Sequence, residues 1–339
     1  LVTTIDPARV AVLIPTLNEA DQIEAVLSQI MHGDAVASRC TVIVADGGSS
    51  DDTCAIVTNL MSKHPNLHLR HNSQRIQAAA FNLLLSPEFD GNDFAIRCDA
   101  HAAYPQGYVS DLVHCMLEKE VDSVVVPMDA VADSNSCFQS GLAWVADTPL
   151  GAGGSPHRGG NVSGYCDHGH HAAFRMSTFR KLGGYDVDFR TNEDAEYDKR
   201  LTDFGGSIWL NSDVRIKYFP RKTASRLWRQ YFRYGEGRAR TCLKHSIKPA
   251  PRQMIPAVHT AVCMASLAVI PITPLLLMWP AFYALAMLSC GIFIALKHRS
   301  ICGLAASVAL VTMHFAWGIG FLSRLMKKSP RTFSPQPAE

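Results

Sequence analysis

Three acidic stations, in chain order, hold most of the chemistry this sequence can do: Asp46 in VIVADGGSSDDT, Asp99 in AIRCDAHAAYP, and Glu193-Asp194 in RTNEDAEYDKRL. A carboxylate can accept the N3 hydrogen of a uracil ring, hold a divalent cation, or take the proton of a hydroxyl that attacks carbon. The first two stations follow short apolar runs, residues 42–45 and 94–96, the pattern of buried strands whose carboxyl ends bind ligands in open α/β sheets. The third opens a stretch of helical composition, 194–204, closed by Gly205-Gly206. Glu193 and Asp194 would then sit in a first turn, where a carboxylate also meets the helix macrodipole for purely structural reasons.

Other residues gather around these stations. Pro15-Thr16-Leu17-Asn18-Glu19 follows the opening apolar run, and with Asp46 it could line a crevice that takes a nucleobase edge-on. Acids in such turns are also common for capping alone. In Cys98-Asp99-Ala100-His101, alternate residues of an extended segment project to one side, so Asp99 and His101 can approach one divalent ion bridging a diphosphate. Gln230 and Arg233 share a helix face, which offers an amide and a guanidinium to a diphosphate or an acceptor. The plain alternative is a solvated or lipid-facing basic helix. His168, His170 and His171 in CDHGHHAAF could face an acceptor or add a metal ligand, without the spacing of a zinc site.

The elements that must position these groups are legible as a rhythm. Apolar runs at 10–14 and 41–45 alternate with helical stretches at 21–32 and 51–63, a βαβ pattern with a mostly parallel sheet. Further strands are expected at 67–71, 94–97, 123–127 and 207–210, and a Gly/Ser-rich loop at 149–164 could close over a ligand. Ser50 or Asp51 can cap the helix after Gly47-Gly48.

Composition adds a second region. Residues 257–296 give forty positions, and 301–323 twenty-three more, without Asp, Glu, Lys or Arg. A span needs roughly 20 apolar residues, so these runs hold two or three crossings; a buried hairpin of a soluble protein would be expected to carry a charged stripe, and none is present. Three crossings would put Lys297 and Arg299 inside but Arg324, Lys327, Lys328 and Arg331 outside, against the positive-inside tendency. Two crossings, or a first run broken at Pro271, Pro274 and Pro280, remove that conflict. The first ten residues carry Asp6 and Arg9 and no signal-peptide core, so a cytoplasmic catalytic domain is expected. Ten scattered cysteines without a C-x-x-C pair fit a reduced compartment. The net charge of +2 hides ten Lys or Arg against one Glu across 221–252, a local +9 that leaves −7 for the rest. Interleaved with Trp228, Tyr231, Phe232 and Tyr234, this segment suits an anionic membrane surface better than nucleic acid.

The stretches VLIPTLNEADQIEAVL, VIVADGGSSDDT, RIQAAAFN, IRCDAHAAYP, FRKLGGYDVDFRTNEDAEYDKRL and QYFRYGEGR, spread over 10–240, are similar to the membrane-associated family 2 glycosyltransferases of the GT-A fold. Within that family the likeness is to the glucosyltransferases of succinoglycan biosynthesis. The resemblance implies an α/β fold, a GT-A type mostly parallel sheet flanked by helices, followed by a C-terminal transmembrane helical region. Taken with the charge pattern, it divides the chain into a cytoplasmic catalytic domain (1–220), basic amphipathic interface helices (221–255), a transmembrane region of two or three helices (256–326) and a disordered tail (327–339). It implies that Pro15, Asn18, Glu19 and Asp46 line a uridine site bordered by Arg75 and Gln77, and that Asp99, with His101, holds Mg²⁺ or Mn²⁺. Asp194 becomes the catalytic base of the family's T-E-D, while Glu193, Gln230, Arg233 and Tyr234 fall by the diphosphate and the acceptor.

Three departures stand out from the family pattern. His101 replaces the usual second acid of D-x-D and compensates the ion less well. Tyr234 replaces the Trp of Q-x-x-R-W and keeps an aromatic platform. Asn192 replaces Thr, which is tolerable if the residue only caps a turn. The implied function is inverting transfer of a hexose, glucose by family likeness, from a UDP-sugar to a lipid-linked saccharide of undecaprenyl diphosphate type. The setting is exopolysaccharide biosynthesis at a bacterial inner membrane, beside other polysaccharide-assembly enzymes and without nucleic acid. A sugar-nucleotide nucleotidyltransferase would share the crevice but need neither spans nor an N-E-D station, and a catalytically silent membrane scaffold would share the fold alone.

Overall fold

A computed structural model describes residues 4–132, 136–155, 158–268 and 273–327; Pro271 and the expected tail beyond Lys327 lie outside the described residues. Its strands are β1 (Val10–Thr16), β2 (Thr41–Asp46), β3 (Leu67–His71), β4 (Phe94–Arg97), β5 (Ala102–Ala103), β6 (Ser123–Val126), β7 (Met128–Ala130), β8 (Gly164–Tyr165), β9 (His170–Arg175), β10 (Ile208–Leu210) and β11 (Ile216–Tyr218). Its helices are α1 (Ile23–His32), α2 (Thr53–Met61), α3 (Gln77–Asn82), α4 (Tyr108–Lys119), α5 (Cys137–Ala146), α6 (Pro149–Ala152), α7 (Met176–Lys181), α8 (Glu193–Asp203), α9 (Ala224–His245), α10 (Pro251–Ala268), α11 (Met278–His298) and α12 (Leu304–Met326).

The main sheet has eight strands in the order β3-β2-β1-β4-β9-β6-β10-β8. The pairs of β1 with β2 and β4, β2 with β3, and β6 with β10 are parallel. Strand β9 runs antiparallel between β4 and β6, and β8 antiparallel at the far edge. The sheet is therefore mixed at its centre, while six of its strands run one way. A second sheet, β5-β11-β7, stands beside it.

Alternation along the strands sorts the core into two layers, because successive side chains of a strand point to opposite faces. Val10, Val12 and Ile14 of β1 pack with Ile23, Leu27 and Ile30 of α1 and with Leu112 and Met116 of α4. Ala11 and Leu13 pack on the other face with Phe81 of α3, Phe179 of α7, and Tyr197 and Leu201 of α8. Both faces are thus covered, as a parallel-type sheet requires.

The basic segment does not lie free on a surface. Helix α9 buries Leu227, Gly235, Gly237 and Ala239, and it runs along α12. A Cβ at Gly235 would strike the Trp317 carbonyl, and one at Gly320 the Phe232 carbonyl, so glycine is what allows the two backbones to touch. Helix α10 begins at Pro251, so the division expected at 255 falls inside a helix. Two stretches, Pro274–His298 and Ile301–Met326, are long and apolar enough to cross a membrane, and the second is the more deeply buried in the molecule. One thiol expectation is corrected. Cys137 and Cys302 form a disulfide with Cα atoms 4.5 Å apart, because Gly141 of α5 lets the Cys302 and Ala306 backbone approach. The other described cysteines are free.

Candidate active site

The sheet brings two strand ends and a helix start to one edge. Arg97 closes β4 and Asp99 follows two residues later; β9, antiparallel to β4 with Ile96 opposite Ala173, delivers His170 to the same edge. Helix α8 starts there with Glu193 and Asp194 in its first turn, where unpaired N–H groups and the macrodipole favour negative charge. Asn192, just before it, adopts φ 63° and makes no side-chain cap bond. The departure from Thr is thus explained by backbone rather than by capping, since Asn tolerates the left-handed region and a β-branched residue does not.

Beneath α8 a cluster of rings fixes its position. Phe81, Phe174, Phe179, Tyr185 and Tyr197 meet edge-on or tilted at centroid distances of 5.4–6.1 Å. Buried His171 joins them, with Nδ1 2.6 Å from the Tyr185 hydroxyl and Nε2 2.6 Å from Asp198 Oδ1, while His168 Nδ1 lies 2.7 Å from Asp198 Oδ2. Of the three clustered histidines, His171 is therefore part of the core, and His168 and His170 line the cavity. Among the described residues no three His, Cys, Asp or Glu side chains are grouped to hold a metal by themselves.

One cavity of about 1220 Å³ takes in Pro15, Glu19, Arg75, Gln77, Asp99, His101, Glu193, Asp194, Gln230, Arg233 and Tyr234. Asp99 and Asp194 share it. Asn18 and Asp46 stand outside its walls. Asp46 is 4% exposed, and its Oδ2 accepts the Gly48 and Ser49 N–H groups at 2.7 and 3.0 Å. Asn18 Oδ1 accepts the Ser50 N–H at 2.8 Å. Both side chains build the loops behind the crevice, and Gly47 and Arg75 form the wall there.

Arg97, not singled out in the sequence, is the hub. Its side chain is 5% exposed, with Nε 3.2 Å from Asp99 Oδ1 and Nη1 3.8 Å from Glu193 Oε1. Nη1 has no hydrogen-bond partner, so a buried donor points toward the cavity. Its signal was a charged residue ending an otherwise apolar run. Gln77 Nε2 donates to Asp99 Oδ1 at 2.9 Å, and His170 Nε2 lies 3.7 Å from Oδ2. Burial opposes ionisation of Asp99, yet Arg97 and the nearby imidazoles hold its carboxyl well below the usual range. Burial and Arg97 push His170 down to about 3, so it is neutral. His101 Nδ1 faces Glu19 Oε1 at 3.1 Å, which, against burial, raises the imidazole's affinity for a proton.

The two carboxylates of α8 are driven apart. Burial and the charge of Asp194 raise Glu193. Burial also works against Asp194, but His168, His171 and Arg97 hold it low. Of the two, Asp194 is the one that gives up its proton more readily. On α9, Gln230 Nε2 donates to the Tyr234 hydroxyl at 2.8 Å, and the Arg233 carbonyl accepts from Thr191 Oγ1 at 3.1 Å, tying this helix to the turn before α8.

The doubly covered sheet, with carboxylates from a strand end and a helix start facing one cleft, is an architecture of GT-A type. The chain belongs to glycosyl transferase family 2, whose model matches residues 11–183, and it is an enzyme of that family. It is 39% identical to the succinoglycan biosynthesis protein ExoA of Rhizobium meliloti (strain 1021) over 93% of this chain and 94% of that protein. It is 24% identical, over 67% of this chain and 71% of the other, to the dolichyl N-acetyl-alpha-D-glucosaminyl phosphate 3-beta-D-2,3-diacetamido-2,3-dideoxy-beta-D-glucuronosyltransferase of Methanococcus voltae. The fold is shared with the mannosyltransferase PcManGT of Pyrobaculum calidifontis, solved with GDP-Man and Mn²⁺, at TM-score 0.57 and 21% identity over 96% of this chain and 90% of that one.

Proposed function

We propose that the protein transfers a hexose, glucose by its likeness to the succinoglycan enzyme, from UDP to a lipid-linked saccharide in exopolysaccharide assembly, with inversion at the anomeric carbon. The observation that carries this reading is the single cavity holding Asp99 and Asp194, with Arg97 reaching both Asp99 and Glu193, the neighbour of Asp194. The acceptor hydroxyl gives its proton to the Asp194 carboxylate as its oxygen bonds to the anomeric carbon. The bond from that carbon to the phosphate oxygen breaks, and the electron pair leaves with UDP. Attack opposite the leaving group makes a β linkage from an α donor.

Pro15, Glu19, Gly47 and Arg75 form the uridine wall, with Asn18 and Asp46 holding its loops. Arg233 and Gln230 face the diphosphate, and Tyr234 gives the sugar an aromatic surface. Asp99 Oδ1 is engaged by Gln77 and Arg97, while Oδ2 remains open toward His170. One open carboxylate oxygen with a nearby imidazole, His101, fits an ion that takes most of its shell from phosphate and water. Mg²⁺ or Mn²⁺ held there would neutralise charge on the departing diphosphate. The solved mannosyltransferase, with its Mn²⁺, and the methanococcal relative, named for a dolichyl-linked substrate, support the metal and the lipid. The exposed apolar face of α11, including Phe282, Leu285, Ile292 and Phe293, gives the enzyme its hold on the inner membrane with the catalytic domain in the cytoplasm.

The test is incubation of the purified chain and extracted lipid-linked sugars with UDP- and GDP-hexoses, followed by mass and linkage analysis. Asp194→Asn is expected to cut transfer by about 10²–10⁴ while leaving UDP affinity within about twofold. Equal loss of UDP binding would remove Asp194 from the role of base.

A further inference from the structure

The disulfide between Cys137 and Cys302 fastens the sheet domain to the apolar helices. Cys137 is the first residue of α5, and Cys302 lies in the turn between α11 and α12; the bond joins positions 165 residues apart in sequence. The Cys302 end stands on fixed ground. A Cβ at the next residue, Gly303, would strike the Ala295 backbone of α11, and the Cys302 N–H donates to Ser300 Oγ at 3.3 Å. The Cys137 end leads toward the cavity. Leu142 and Ala146 of α5 cluster with Ala309 and Met313 of α12, and Ala146 and Leu150 line the same cavity as Met313 and His314.

Access separates this bond from a buried structural one. Cys137 is exposed and Cys302 half-buried, and among the described residues Cys137 is the one exposed cysteine. A dissolved thiol can therefore approach the bond, and the unpaired N–H groups at the start of α5 favour the negative charge that the sulfur carries as the bond opens. The proposed placement of the catalytic domain in the cytoplasm puts the pair where glutathione and thioredoxin keep accessible thiols reduced.

Resting on that placement, we infer that Cys137 and Cys302 are a reversible thiol pair, open in a reducing compartment and closed by oxidation, which ties the α5–α6 wall of the cavity to α12. The oxidant is a low-molecular-weight disulfide such as glutathione disulfide. The Cys137 thiolate attacks one of its sulfurs and releases one glutathione thiolate; the Cys302 thiolate then attacks the Cys137 sulfur and displaces the second. The two cysteines give up two electrons and two protons in all, and glutathione disulfide leaves as two thiols. When the pair is open, the wall keeps the packing of α5 on α12 and the hydrogen bond of His314 to the Leu150 carbonyl, without the covalent link.

The full chain in nanodiscs is equilibrated in glutathione buffers from fully reduced to fully oxidised, and free thiols are trapped by alkylation and mapped by mass spectrometry. The bond is expected to open and close within that series. A bond that persists in reduced glutathione is a permanent structural link and overturns the inference, as does a pair that never closes. Hydrogen exchange reads the wall: peptides covering 141–152 are expected to exchange at least about tenfold more slowly in the closed form, a difference absent from the Cys137→Ser, Cys302→Ser double variant. In the transfer assay the closed form is expected to show a KM for the nucleotide sugar about threefold lower than the open form. Equal exchange and equal KM in the two forms would leave the pair without effect on the cavity and overturn the inference. Absence of transfer in both forms sinks the glycosyltransferase reading alone, since thiol trapping and exchange are read without it.

Discussion

Arg97 connects Asp99 to Glu193 at the start of α8, and its removal tests that connection directly. Arg97→Met leaves Asp99 and buried Glu193 without their cation, so a loss of about 3–5 kcal/mol in stability is expected, with transfer abolished. Thermal unfolding and a transfer assay check it, and Arg97→Lys, which keeps the charge without the fork, should recover part of the stability but little activity. Asp198 offers a pH test. Burial would raise its carboxyl, but His171 and His168 hold it below its ordinary value. A group lowered on folding contributes stability that is complete above its unfolded value, near 3.9 for Asp, and is lost as pH falls through the folded value. Asp198→Asn should therefore melt earlier at pH 7 and show a flatter acid limb below about pH 4 than wild type; an unchanged acid limb would place that titration elsewhere. At this scale the sequence was informative about charge and poor about contacts. Asp99 and Asp194 declare themselves by following an apolar run and opening a helix. Asp46 has the same appearance, and its oxygens accept from Gly48 and Ser49, loop contacts that residue order does not reveal. Arg97 was hidden by the apolar strand that carries it.

Helices and strands differ in how they could be foreseen. The run 67–71 matches β3 residue for residue, since its alternation and flanking polar turns leave little choice. Strand β9 escaped, although it is central, because His170-His171-Ala172-Ala173-Phe174-Arg175 has little β propensity and gains its place from β4 and β6 on either side. The loop at 149–164 reads as irregular from its glycines, and the structure gives it the short helix α6, whose Thr148 hydroxyl caps Gly151. Helix α9 has the charge of a surface helix, but its Gly235 and Gly237 mark a packed face. Gly320→Leu on α12 tests that packing: its side chain has only the Phe232 backbone to meet, so a loss of about 1–3 kcal/mol or more is expected in chemical unfolding. A neutral result would show that α9 and α12 separate freely.

The whole molecule raises the question of depth in the bilayer. Helix α9 carries Arg226, Arg229, Arg233, Arg238, Arg240 and Lys244 along its length, and it lies against α12 from Leu227 beside Met313 to Glu236, whose Oε1 is 2.7 Å from Lys327 Nζ. Because Glu236 meets Lys327, the residue after the last turn of α12, only the first half of α9 lies beside α12, and Arg238, Arg240 and Lys244 fall beyond its end. Helix α12 is long and apolar enough to cross a membrane, so Arg299→Cys and Lys327→Cys, at its opposite ends, are expected to react with an impermeant maleimide from opposite sides; reaction of both from one side would place α12 along the surface. Length and hydropathy describe one helix at a time, so the contact between α9 and α12 was not legible from them.

His314 of α12 holds the carbonyl of Leu150 at 2.8 Å through Nε2, and its Nδ1 lies 3.0 Å from the Tyr283 hydroxyl. The glycine-rich segment along the cavity is thereby fastened to a helix long and apolar enough to cross a membrane. Any displacement of that segment must pull on α12, so the cavity wall and the apolar helix share one mechanical coordinate.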